Sequence, residues 1–269
     1  GSRRLLHICS DIQPSEIMKI AMPLMLAWYS QQRAGVVRWS SFLVAAALLA
    51  VPVGLIQLQP DLGTSLLVLA SGMYVIFLAG LSWKAIAGLV VAGVCSLPVA
   101  WSLMHDYQRE RIMTLIDPTT DPLGKGFHIL QSIIAIGSGG VSGKGWLHGT
   151  QAHLEFIPEA TTDFVFAVFA EEFGLIGILL LLFLYMLLIG RGLMLAANAA
   201  NLFSRLLAGA ISMIFFTFVF INMGMVSGIL PVVGVPLPFL SYGGTAMLTL
   251  GLCIGILMSI SRHRKLVQT

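Results

Sequence analysis

Residues 164–189 read FVFAVFAEEFGLIGILLLLFLYMLLI. Apart from Glu171 and Glu172 the run carries no charge, and it exceeds the ~20 apolar residues that cross a bilayer as a helix. Lipid offers no hydrogen bonds to stray backbone, so a spanning segment is either a helix or a strand of a closed barrel. The run lacks the alternation of a barrel strand, which leaves the helix.

Other apolar segments flank this one, at roughly 13–30, 40–58, 64–81, 85–104, 206–226 and 242–260. The composition agrees. Of 269 residues, 57% are hydrophobic and 10% charged, with a mean hydropathy of +0.92, whereas a soluble domain carries about 25% charged residues. The expected fold is an all-α polytopic integral membrane protein with about seven transmembrane helices. Residues 1–269 form one membrane domain, with a long outer loop over 105–163 inside it. No signal peptide is visible, and the absence of an initiator Met leads us to expect a missing N-terminal part. Cys9, Cys95 and Cys253 lie far apart and give neither a disulfide framework nor a metal spacing.

Charge placement orients the chain. Arg33 and Arg38, Lys84, Arg191 and Arg205, and the tail with Arg262, Arg264 and Lys265 all fall in connectors of one side. The short connectors 59–63 and 227–241 hold no Lys or Arg. Basic short loops mark the cytoplasm, so the C-terminus is expected there. Arg109, Arg111, Lys125 and Lys144 sit in the long loop, which is translocated largely regardless of charge. All twelve acidic residues then lie on the outer side or in the outer part of a span, which reads as an acidic outer cavity.

Two outer segments break the helical pattern. Residues 229–239 (ILPVVGVPLPF) contain three prolines, which remove donors and clash with preceding turns. Such apolar, non-helical backbone is tolerated near a membrane where protein buries it or where it lines a cavity. The glycine-rich stretch 124–149 holds an apolar run from 129 to 136 that is too short to span, as in a re-entrant or interfacial helix.

Several residues carry possible chemistry. Glu16 and Lys19 are three apart in a span, hence on one helix face, and either neutralise each other or face a cavity. Asp61 precedes a new helix, as an N-cap does, and could equally be a cavity carboxylate. Asp163 ends the long loop about two turns before Glu171 and Glu172. A carboxylate near others and partly out of water has a raised proton affinity, which suits a general base, although it too could be only a cap. Arg109, Arg111, Lys125 and Lys144 could neutralise phosphates or lipid headgroups. The histidines show no ligand spacing, and no Walker loop, dinucleotide fingerprint or nucleophile elbow is present. Nothing points to a nucleotide or to nucleic acid.

The motifs around these residues resemble the SEDS family (shape, elongation, division and sporulation). They run almost end to end: QPSEIMK at 13–19, QPDLGT at 59–64, HDYQR at 105–109, DP at 117–118, DPLG at 121–124, IGSGG at 136–140, GKGWLHGTQ at 143–151, TDF at 162–164, AEE at 170–172, GILPVVGVPLP at 228–238 and SYGG at 241–244. GWLHGTQ favours the elongation branch over the division branch. Family members usually carry a basic residue about where Asp11 stands here.

The resemblance implies about ten spans in the whole protein, of which this chain holds about the last seven. It also implies a peptidoglycan glycosyltransferase that polymerises lipid II on the outer face of the cytoplasmic membrane during cell elongation. Asp163 would be the catalytic carboxylate, with Glu16, Lys19, Asp61, Arg109 and Lys144 binding or orienting substrate. A divalent metal, Mg or Mn, would assist, held by outer carboxylates including Asp163. The partners implied are a class B penicillin-binding protein, other elongation-complex proteins and membrane lipids. Two other functions fit the same composition, a lipid II flippase and a non-catalytic scaffold of the elongation complex. Polar residues crowd one side of the membrane instead of running through its depth, which favours the enzyme over the flippase.

Overall fold

The computed structural model describes residues 6–7, 11–33, 39–59, 61–103, 109, 113–115, 125–153, 159 and 161–262. Arg111, four acidic residues of the long loop (Asp106, Glu110, Asp117 and Asp121), Glu155, and the tail residues Arg264 and Lys265 lie outside the described residues, as do Arg4, Cys9 and Arg38.

The fold is helical, with one minimal hairpin in which β1 (Leu6–His7) pairs antiparallel with β2 (Asp11–Ile12). Then follow α1 (Pro14–Gln32), α2 (Trp39–Gln57), α3 (Leu62–Leu78) and α4 (Trp83–Leu103). After the long loop come α5 (Lys125–Ser138), the single turn α6 (Thr150–His153), α7 (Val165–Ala197), α8 (Leu202–Val226) and α9 (Gly244–Arg262). Every expected apolar segment is a helix, with ends displaced by a few residues. The segment 229–237 is non-helical, as its prolines require, and α5 is a short helix of 14 residues.

Ser40–Gln57, α7, α8 and α9 are long and apolar enough to cross a membrane. Helix α1 falls short on hydropathy because Glu16, Lys19 and its polar ends lie within it, and α3 falls short on length. Side chains of α2, α7 and α9 are mostly exposed and apolar, whereas α8 is largely buried. Lipid tails give no hydrophobic drive between helices, so packing and polar links must hold them.

The chain divides into two compact units, one of 1–80, 183–219 and 238–269, the other of 81–182 and 220–237. In the first, α1 packs on α2, α3 and α9, with Leu26, Leu67, Val68, Phe215 and Phe218 buried. Tyr74 and Thr217 share a hydroxyl hydrogen bond of 2.7 Å, and the Tyr185 hydroxyl donates to the Pro238 carbonyl at 2.6 Å.

In the second unit α7 is not one continuous helix. Gly174 has φ 62° and ψ −161°, so the bonds from the 175 and 176 amides to the 171 and 172 carbonyls are not made. The glycine-rich loop inserts there. Leu175 and Ile176 amides donate to the Gly140 and Val141 carbonyls at 2.9 and 3.1 Å, while Lys144 and Gly145 amides donate to the Glu171 and Glu172 carbonyls, each at 3.0 Å. These four bonds satisfy the carbonyls of 171 and 172 and the amides of 175 and 176 that the break frees. Only glycine fits at 174, since a β-carbon would lie 2.3 Å from the Gly143 nitrogen and the positive φ is strained for other residues.

Candidate functional site

In the first unit Glu16 and Lys19 meet as their spacing predicts. The Lys19 ammonium donates to Glu16 Oε1 at 2.5 Å, with both residues buried. It also lies 5.0 Å from the centre of the Phe218 ring, where the ring face attracts a cation. Glu16 Oε2 and the neighbouring Ser15 hydroxyl are buried without a hydrogen-bond partner. A desolvated charge pair with spare acceptors is costly to keep.

Asp61 is the N-cap of α3. It accepts from the Thr64 amide at 3.1 Å and the Thr64 hydroxyl at 3.0 Å. It also accepts from Gln13 Nε2 at 3.1 Å, which links the start of α1 to the start of α3. The cap accounts for the local fold, and the reach to Gln13 is more than a cap needs.

In the second unit Asp163 ends a tight turn just before α7. The Glu159 carbonyl accepts from the Thr162 amide at 3.0 Å, the Phe164 amide at 3.3 Å and the Thr162 hydroxyl at 3.2 Å. Glu159 itself sits at φ 59°, a strained conformation for a non-glycine residue. Phe164 is buried and meets the His128 ring of α5 edge-on at 6.1 Å. The Asp163 carboxyl is partly buried. Burial first, then the charge of Glu159 and a hydrogen bond with it, push the Asp163 pKa up from 3.8 to about 6. The carboxylate that acts on Asp163 is thus Glu159, in place of the expected Glu171–Glu172 pair.

Glu171 has another role. Fully buried, its Oε1 accepts from Lys144 Nζ at 2.6 Å, the Thr150 amide and hydroxyl at 2.9 Å each and Ser138 Oγ at 3.4 Å. The Gln151 amide donates to Oε2 at 3.2 Å. Lys144, expected to face phosphate, thus meets Glu171 and the Thr150 hydroxyl at 2.9 Å, with 29% of its side chain exposed. Arg109 donates to the Trp101 and Ser102 carbonyls at 3.1 and 2.9 Å, near the end of α4, where a cation suits the carbonyl dipoles.

Sequence reasoning passed over Asn222 and gave Glu159 no role of its own. Asn222, fully buried on α8, donates from Nδ2 to the Asp163 carbonyl at 2.9 Å and the Val235 carbonyl at 2.7 Å. Its signal was an amide late in the apolar stretch ISMIFFTFVFIN, since a polar group in a span is kept only for a partner.

Among the described residues no group of three or more His, Cys, Asp or Glu side chains gathers as a metal site. The Glu159–Asp163 pair nonetheless fits a hard cation of the Mg type, which takes one or two carboxylates and fills its remaining positions with water and substrate phosphate.

The family model described as cell cycle protein, that of FtsW, RodA and SpoVE, matches residues 1–266. Over its whole length the chain is 57% identical to 73% of the peptidoglycan glycosyltransferase MrdB of Escherichia coli K12. It is also 38% identical to the stage V sporulation protein E of Bacillus subtilis, covering 98% of this chain and 73% of that one. Among solved structures, a chain from a peptidoglycan synthase complex that coordinates polymerization and crosslinking superposes with a TM-score of 0.80 at 35% identity, covering 98% of this chain and 75% of its own. The rod shape determining protein RodA of Thermus thermophilus superposes with a TM-score of 0.67 at 29% identity, covering 98% and 71%. The chain belongs to the FtsW, RodA and SpoVE family.

Proposed function

We propose that this chain is a peptidoglycan glycosyltransferase. It would polymerise lipid II, an undecaprenyl-pyrophosphate-linked disaccharide pentapeptide, into glycan strands during cell elongation. The reaction joins a sugar hydroxyl to an anomeric carbon. The C–O bond forms as the bond to pyrophosphate breaks, the leaving group takes the electron pair, and the hydroxyl proton must go to a base. One observation carries the reading. Asp163 is a partly buried carboxylate, beside a second carboxylate, with a pKa of about 6. Such a group is mostly deprotonated at neutral pH yet basic enough to accept a proton.

Glu16, Lys19 and Asp61 are assigned to binding or orienting substrate. Arg109 and Lys144 contribute through the segments they hold. A Mg or Mn ion held by Glu159 and Asp163 would supply positive charge to the departing pyrophosphate. The assignment places the chain in the bacterial cytoplasmic membrane with its C-terminus inside, which single cysteines labelled from either side would test. Its partner would be a class B penicillin-binding protein, and copurification would test that association.

The deciding experiment uses the full-length protein with fluorescent lipid II and a divalent cation, reading glycan length on gels. Wild type should make polymer without ATP, and Asp163→Asn should make none while melting no lower than wild type. Polymer from Asp163→Asn at the wild-type rate would remove the base assignment. Flipping of lipid II in liposomes without polymer would favour a transporter.

A further inference from the structure

We propose that Asn222 is a positioning residue for the polymerisation step, fastening the Asp163 turn and the proline-rich strap 231–237 to one point on α8. The proposal rests on the reading of Asp163 as the base.

Asn222 uses both hydrogens of its amide nitrogen on main-chain carbonyls, those of Asp163 and Val235. The two acceptors also fix the amide's orientation, because a flipped Asn222 would aim its oxygen at both carbonyls. Few residues could replace it. A hydroxyl brings one hydrogen, an ionised carboxylate none, and a leucine of similar size none. The bonds join segments 59 and 13 residues away in sequence, so one side chain ties three parts of the second unit together.

The strap also touches the reacting group itself. A β-carbon at Gly234 would lie 3.2 Å from Asp163 Oδ2, and Gly234 has φ +73°. The strap's main chain therefore stands close beside the carboxylate, where a β-carbon would press on it and the positive φ favours glycine. Asn222 sets where that main chain stands, because Val235 is the next residue. The arrangement has a cost, since Asn222 Oδ1 is buried without a partner. A buried orphan acceptor is unfavourable and calls for an explanation. Packing alone would be better served by an apolar residue, whereas the need for two donors on one side accounts for an asparagine.

Asn222→Ala and the isosteric Asn222→Asp would be made in the full-length protein. The readouts are kcat and KM for lipid II, melting temperature, and amide hydrogen exchange. We expect kcat to fall at least tenfold with KM within twofold, and exchange at 161–164 and 231–237 to rise together. Faster exchange with unchanged kcat would make Asn222 structural only and overturn the proposal. So would exchange rising in just one of the two segments. If Asn222 variants do not fold, Gly234→Ala moves that main chain while leaving the clamp. Its kcat should fall in the same way, and a wild-type kcat would overturn the proposal. If Asp163→Asn still polymerises, the base reading fails and positioning falls with it. The exchange data would then still decide whether the clamp exists.

Discussion

Lys144 separates two accounts of the glycine-rich loop. Its ammonium meets a carboxylate with no exposure, while 29% of its own side chain remains accessible. Breaking a buried pair is costly because of the charge left behind, so the two partners should differ. Removing the lysine with Lys144→Met strands the Glu171 anion, which keeps the Thr150, Gln151 and Ser138 donors. An uncompensated buried charge costs about 3–5 kcal/mol. The remaining hydrogen bonds to the carboxylate bring the expected loss to the lower end, about 3 kcal/mol.

Glu171→Gln leaves an ammonium that can turn to water, and a neutral oxygen that still accepts from Thr150. That change should cost only about 1–2 kcal/mol, the difference between charged and neutral hydrogen bonds. The double variant should be no worse than Lys144→Met alone, because no stranded charge remains. Melting in detergent and exchange at 139–151 would measure this, with lipid II kinetics in parallel. The reasoning is refuted if Lys144→Met melts like wild type while KM for lipid II rises. In that case Lys144 faces phosphate, as its position in an outer loop first implied.

Three further outcomes follow from the acidic residues. Burial and Glu159 raise the Asp163 proton affinity, so kcat should rise with pH on the acid side and level off once the base is ionised, with the midpoint moving to lower pH as the divalent cation is raised. In metal-free protein the folded state binds the extra proton between pH 3.8 and about 6, so this carboxyl's stabilising contribution is full below 3.8 and lost as pH rises through 6. Asp163→Asn should therefore match wild-type melting near pH 4 and exceed it at pH 8; equal melting at both would contradict the burial of Asp163. For the other pair, Glu16→Gln and Lys19→Met should each impair activity, with a double-mutant coupling above about 1 kcal/mol, and additive losses would mean that the two side chains act separately.

The helices were legible because their signal is local. Seven apolar runs and the proline-rich break between α8 and α9 need only composition and spacing, and the Glu16–Lys19 contact needs only the helical repeat. Asp61 was legible as a cap for the same reason. The break in α7 was not. A glycine inside an apolar helix usually costs about 1 kcal/mol and is tolerated, so 164–189 reads as unbroken. What breaks it is a loop some thirty residues earlier in the chain that supplies four backbone partners. The neighbour of Asp163 was misjudged likewise. Helical spacing brings Glu171 and Glu172 to mind, but the turn at Glu159 folds an earlier carboxylate back while Glu171 faces the inserted loop.

One rule about membrane interiors connects the residues that were missed. Prolines at 231, 236 and 238 leave the strap unable to satisfy its own carbonyls, and lipid offers no donors. The donors must come from side chains on neighbouring helices, which then appear in the sequence as isolated polar residues in apolar runs. Each unit contains such a case, with Asn222 donating to Val235 in one and Tyr185 to Pro238 in the other. Neither Tyr185 nor Asn222 was singled out in its span, yet such a residue and the proline-rich segment are two halves of one requirement. Within the second unit the strap can approach Asp163 as irregular backbone because Asn222 on α8 supplies a donor that the strap lacks.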